Sequence, residues 1–150
     1  QVLGVFGGEG IINYGNISLD SSGTYATLIG DTINNGSIIL NSCSTCAGYS
    51  LTIDGDYVGN DGILYLGTVL GDDSSLTDEL IITGHASGST SVIVTNENGS
   101  GAETVEGIEI ISTGSSDSDA FVQSGRIVAG FMSTILFKVT HQVITKINGI

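Results

Sequence analysis

The chain has 150 residues, enough for one compact unit, and 40% of them are hydrophobic, which excludes a disordered segment. Three Lys or Arg stand against sixteen Asp or Glu, a formal net charge of -13, so nucleic acid and anionic lipid surfaces would repel it. The 23 Gly, the absence of Pro and the abundance of Ser, Thr, Asn and Asp argue against long helices, because these residues favour turns or lose much backbone freedom in a helix interior.

No run approaches the ~20 consecutive apolar residues that span a bilayer, and Gln1 opens the chain without a basic-then-apolar leader. The piece is expected to be soluble, with any export signal elsewhere. Along the chain, Ile12-Asn13-Tyr14-Gly15-Asn16-Ile17-Ser18-Leu19 returns as Ile33-Asn34-Asn35-Gly36-Ser37-Ile38-Ile39-Leu40, an offset of 21 residues. A period of that size suits one coil of a β-solenoid, whose apolar face must be buried on its neighbours. Apolar segments continue at Leu51-Thr52-Ile53, Leu64-Tyr65-Leu66, Leu80-Ile81-Ile82, Val92-Ile93-Val94 and Ile108-Glu109-Ile110-Ile111. Gly- and Asn-containing turns are expected between them, at Gly55, Gly59, Gly62, Gly84 and Gly88 among others. A β-sandwich would also show short strands and regular turns, but the repeat favours the solenoid.

Residues 51 to 130 closely resemble the end of autotransporter passengers of the pertactin-like and AIDA-like type. The resemblance is carried by Gly55-Asp56-Tyr57-Val58-Gly59-Asn60, Thr68-Val69-Leu70-Gly71-Asp72-Asp73-Ser74-Ser75 and Gly107-Ile108-Glu109, which fall in family order. It implies an all-β, right-handed parallel β-helix of the pectin-lyase-like kind, in which 51–130 is the C-terminal β-helix or autochaperone region and 1–50 are ordinary passenger rungs. It also implies export through the outer membrane to the cell surface, and a parent adhesin or virulence factor whose partners are a host cell surface or a further copy of itself. The parent's membrane barrel would follow. No cofactor and no small-molecule substrate are expected.

Residues 131–150 depart from that pattern. The family continues with an aromatic-acid-aromatic motif, whereas this chain reads Phe131-Met132-Ser133-Thr134-Ile135. Reading those codons one base earlier permits Val-Tyr-Glu-Tyr-Asp. Lys138 and Lys146 also stand in a stretch without acids, after a chain with no cation before Arg126. A frameshift that replaces linker and barrel is the expectation here. The alternative is a native tail whose Ile135, Phe137, Val139 and Val143 alternate with polar residues and add a closing strand.

Few residues suggest chemistry. Cys43-Ser44-Thr45-Cys46 has the spacing of a zinc half-site or redox motif, but His85 and His141 are distant and no helix start is expected there. A disulfide between Cys43 and Cys46 closing a small surface loop is favoured, as in exported proteins, with free thiols as the alternative. Asp54-Gly55-Asp56 with Asn60-Asp61-Gly62 fits neither the EF-hand order nor the RTX repeat, and Asp72, Asp73, Asp117 and Asp119 read as turn residues. His85 beside Ser87 and Ser89 makes no triad and is expected to be a lone exposed residue. A carbohydrate-active β-helix with paired carboxylates is the alternative function.

Overall fold

The computed structural model describes residues 5–6, 10–19, 25–40, 47–69, 76–96, 108–124, 134–140 and 142–148. In chain order the strands are β1 (Val5–Phe6), β2 (Ile11–Asn13), β3 (Asn16–Ser18), β4 (Tyr25–Ile29), β5 (Thr32–Asn34), β6 (Ser37–Ile39) and β7 (Ser50–Asp54). They are followed by β8 (Tyr57–Thr68), β9 (Glu79–Asn96), β10 (Ile108–Ser116), β11 (Phe121–Gln123), β12 (Thr134–Val139) and β13 (Gln142–Asn148). Short runs of Val, Ile, Leu and Thr form each strand, as β-branched and apolar side chains fit a pleated, half-buried surface.

Successive coils of one parallel β-helix stack in three lines. The first runs β1, β4, β7, the start of β9, β10 and β12. The second runs β2, β5, the start of β8, the middle of β9 and the end of β10. The third runs β3, β6, the end of β8, the end of β9 and β11. The 21-residue repeat is a register: Ile12 pairs with Ile33, Asn13 with Asn34 and Ile17 with Ile38.

In β4, β7 and the stacked parts of β6, β8 and β9, alternate residues are buried and stack on their equivalents one coil away. Ala26, Leu51 and Leu80 form one such column, Leu28, Ile53 and Ile82 a second, and Ile38, Leu64 and Val92 a third, all buried. Each fully buried aliphatic side chain contributes ~1.5–3 kcal/mol relative to exposure, which is how single short strands hold together. The period then lengthens, from Asn13 to Asn34 across 21 residues, from Asp31 to Asp56 across 25 and from Asp56 to His85 across 29. The corner between the first and second lines keeps the same span, Gly30-Asp31 in one coil and Gly55-Asp56 in the next. Growth falls where the third line hands over to the first, between β3 and β4, β6 and β7, and β8 and β9. Gly is required at the constant corner, because a Cβ on Gly55 would lie 2.6 Å from the Gly30 carbonyl oxygen.

One sequence expectation changes here. The turns expected at Gly59, Gly62, Gly84 and Gly88 lie inside β8 and β9, which run unbroken through their corners. A register shift between Asn60 and Gly62, with Asp61 at φ 55°, bends β8 without ending its ladder. Within the tail, β12 stacks parallel on β10 and β13 folds back antiparallel on β12, so those residues extend and close the sheet. Among the described residues no helix is long and apolar enough to cross a membrane.

Candidate functional site

Three sets of polar side chains tie coil to coil, and they are where the chemistry of this chain is concentrated. The first runs inside the solenoid along the second line. Asn13, Asn34 and Thr90 are buried polar residues in an apolar core, and Tyr57 is buried with them. Asn13 Nδ2 donates to Asn34 Oδ1 at 2.9 Å, Asn34 Nδ2 donates to the Tyr57 hydroxyl at 3.2 Å, and that hydroxyl bonds Thr90 Oγ1 at 2.8 Å. Each Asn also accepts from the backbone of its own coil, Asn13 Oδ1 from Gly15 N and Asn34 Oδ1 from Gly36 N, both at 3.1 Å. The unbroken chain removes the desolvation penalty that an unpaired buried amide would carry. Below it Tyr57 stacks on Phe121, with ring centroids 5.7 Å apart. Burial pushes the Tyr57 hydroxyl above its ordinary value, so it remains a proton donor throughout the working range.

The second set lies outside, at the corner between the first and second lines. Asp31 Oδ1 accepts the Asp56 N–H at 2.8 Å, and Asp56 Oδ1 accepts the His85 N–H at 2.9 Å. Thr83 Oγ1 donates to Asp54 Oδ1 and accepts from Gly55 N, each at 3.0 Å. Of the acids that might suggest calcium, Asp56 accepts a backbone N–H of the following coil, and Asp54 and Asp61 accept the hydroxyls of Thr83 and Ser89. His85 differs from its expected isolation: its Nδ1 lies 2.8 Å from Ser115 Oγ and its Nε2 3.1 Å from Asp117 Oδ1. Ser, His and Asp are therefore hydrogen-bonded in series. The side chains of His85 and Asp117 are 45% and 55% exposed; Ser115 stands at the end of β10 and Asp117 directly after it, so the trio clasps the end of β10 to β9.

The third set lies at the corner that grows. Asp78 is fully buried; Oδ1 accepts the Tyr49 N–H at 2.9 Å and Oδ2 the Gly67 N–H at 2.8 Å, which ties the approaches to β7 and β9 to the end of β8. Burial outweighs those N–H donors and raises the carboxyl to about 6. Next to it Glu79 is raised to about 7, first by burial and then by the Glu109 carboxyl, which hydrogen-bonds it and adds its charge. Spacing alone does not bring these acids together, because Glu79 and Glu109 stand on coils of unequal length. Asn13 and Asn34 were visible within the repeat, whereas nothing in the sequence marks Tyr57 and Thr90 as their continuation. Cys43 and Cys46 lie outside the described residues.

A three-line parallel β-helix held by such ladders defines the class: a passenger-type solenoid. A family model described as autochaperone domain type 1 matches residues 21–136. The chain belongs to that family, the autochaperone region of autotransporter passengers. It is 48% identical over 107 residues to the uncharacterized protein YuaQ of Escherichia coli (strain K12), covering 71% of this chain and 8% of that protein. Identity to the adhesin BmaC autotransporter of Brucella suis biovar 1 (strain 1330) is 46% over 97 residues, covering 59% of this chain and 3% of that protein. For the autotransporter adhesin AIDA-I of Escherichia coli it is 44% over 92 residues, covering 60% and 7%. The chain spans less than a tenth of the length of each of these relatives. The family implies export to the cell surface by way of the outer membrane.

Proposed function

We propose that this chain is the folding nucleus and cap of an adhesive passenger, with a structural and not a catalytic role of its own. The observation that carries it is that the inter-coil side-chain bonds run into the last coils, where the Asn–Tyr–Thr spine ends on Thr90, Tyr57 stacks on Phe121 and His85 is held by Ser115 and Asp117. A solenoid grows by nearest-neighbour stacking, so a terminal unit stable by itself supplies the surface on which other coils condense. The β12–β13 hairpin then acts as the cap, because it covers the parallel edge of β10. The adhesin names of two relatives support an adhesive parent, and attachment to a host surface or to further copies of itself is part of the same proposal.

The test is refolding from urea, followed by circular dichroism, on residues 1–150 and on residues 51–130 separately. Cooperative β-rich refolding of the shorter piece supports the nucleus. A shorter piece with no transition beside a stable longer one ends that assignment.

A further inference from the structure

We propose that the outer face of the second line is a docking surface for a cationic amphipathic helix laid along the solenoid axis, its apolar stripe on Ile33 and Val58 and its Lys or Arg beside Asp31 and Asp56. Strand alternation puts three columns on this face. Thr32 and Asn34 are buried, so Asp31, Ile33 and Asn35 face outward; one coil on, buried Tyr57 and Gly59 leave Asp56, Val58 and Asn60 outward. The middle column is aliphatic: Ile12, Ile33 and Val58 stand in register, and Ile33 and Val58 remain 39% and 38% exposed although each has a coil on both sides. This column lies along the side of the solenoid, so a coil added at either end leaves it open.

Charge defines the flanks. Asp31 and Asp56 are exposed, and each spends one carboxylate oxygen on a backbone N–H of the next coil, which keeps the second oxygen for an outside donor. On the opposite side of the column Asn60 donates to Asn35 and is followed by Asp61, an exposed carboxylate whose Oδ1 accepts from Ser89. Residues 1–125 hold no Lys or Arg, so no cation of these coils neutralises the acids on either side. An aliphatic ridge between carboxylates is the complement of a helix whose apolar stripe carries Lys or Arg on both flanks. A partner of like charge would be repelled along the whole face.

Spacing selects a helix over an extended segment. Coils repeat every ~4.8 Å along the axis. A helix rises ~5.4 Å per turn, so its side chains at i, i+4 and i+7 fall over successive members of the column and drift by only ~1 Å across three coils. An extended segment lying the same way repeats one side every ~6.6 Å and is out of step by the third coil. Period and charge therefore specify the same ligand, a basic helix held by its apolar stripe. The surface is separate from the folding role, since these side chains project outward from coils that are already stacked.

The probe is a fluorescent peptide of about 14 residues, Leu at helical spacing and Lys elsewhere, titrated against the full chain at about pH 8 and followed by anisotropy. The same Leu and Lys in strict alternation are the comparison, and the helical pattern should bind about tenfold more tightly. Asp31→Asn with Asp56→Asn keeps both backbone acceptors and removes two charges; it should weaken binding about tenfold at low salt. Glu79→Gln with Glu109→Gln removes two carboxylates from the first line instead and should change affinity less than about twofold. Ile33→Thr with Val58→Thr should weaken binding about fivefold and leave the urea midpoint near that of the parent chain. Equal affinity for the two peptide patterns, or equal loss from the two pairs of acids, would mean that net charge alone attracts the peptide and overturns the surface. Unaltered affinity in Ile33→Thr with Val58→Thr overturns its aliphatic ridge. Refolding of the unbound chain reads the nucleus separately, so either idea can fail alone.

Discussion

Thr32 is the one buried side-chain polar atom without a partner among the described residues, and its position explains why. Its column holds Ile11 on one side and Tyr57 on the other, so its hydroxyl is enclosed among carbon atoms. Thr32→Val keeps the shape and removes the unmet group; it should raise unfolding free energy by ~1 kcal/mol, read as a higher urea midpoint at constant slope. The acids at the growing corner act in the opposite sense. Asp78 is raised from 3.8 to about 6 and Glu79 from 4.5 to about 7. A carboxyl whose folded value lies above its unfolded one binds more protons in the folded state, so stability should grow as pH falls from about 8 towards about 4 and be lost as pH rises through the folded values. The gain is on the order of 2 kcal/mol, mostly from Asp78, because solvent screens the partly exposed Glu79. Unfolding at pH 5 and pH 8 measures it. Glu79→Gln, which relieves the repulsion with Glu109, should flatten the upper part of that dependence and raise the midpoint at pH 8.

At the scale of elements, the inner spine is a test of how far polar bonds decide register. Asn34→Ala leaves the Asn13 amide, the Gly36 N–H and the Tyr57 hydroxyl each short of a partner, and should cost ~2–4 kcal/mol. Tyr57→Phe keeps the stack on Phe121 and removes only the hydroxyl, so ~1–2 kcal/mol is expected. The double variant should cost less than the sum, since both act on one network. This spine also marks the boundary of what could be read from the residues. Asn13 over Asn34 and Ile17 over Ile38 followed from the repeat, because two coils of equal length conserve spacing. Tyr57 and Thr90 were hidden, because each later coil inserts residues at its variable corner and their side chains differ chemically from Asn. His85 was hidden for a related reason, its partners Ser115 and Asp117 lying a whole coil away at an offset no local motif carries. The continuous β8 and β9 were missed because Gly and Asn in a β-run signal a turn as readily as a bulge.

For the whole molecule, stacking with neighbours alone makes stability directional. The first coil is built from strands of two or three residues, whereas β8 and β9 pair along eleven register positions and β9 is covered in turn by β10 and β11. Local opening should therefore begin at β1 to β3 and reach β8 to β10 last. Native-state hydrogen exchange under increasing urea should show amides of β2 and β3 opening at lower denaturant than those of Leu64, Leu66, Val92 and Val94. Leu64→Ala, at a fully buried position in the shared ladder, should cost ~2–5 kcal/mol and lower protection throughout, while Ile17→Ala, half-buried in the first coil, should change only the amides of its own coil and the next. A uniform loss of protection from Ile17→Ala would mean that all the coils form one cooperative unit, and the C-terminal coils would then have no independent stability with which to start the fold.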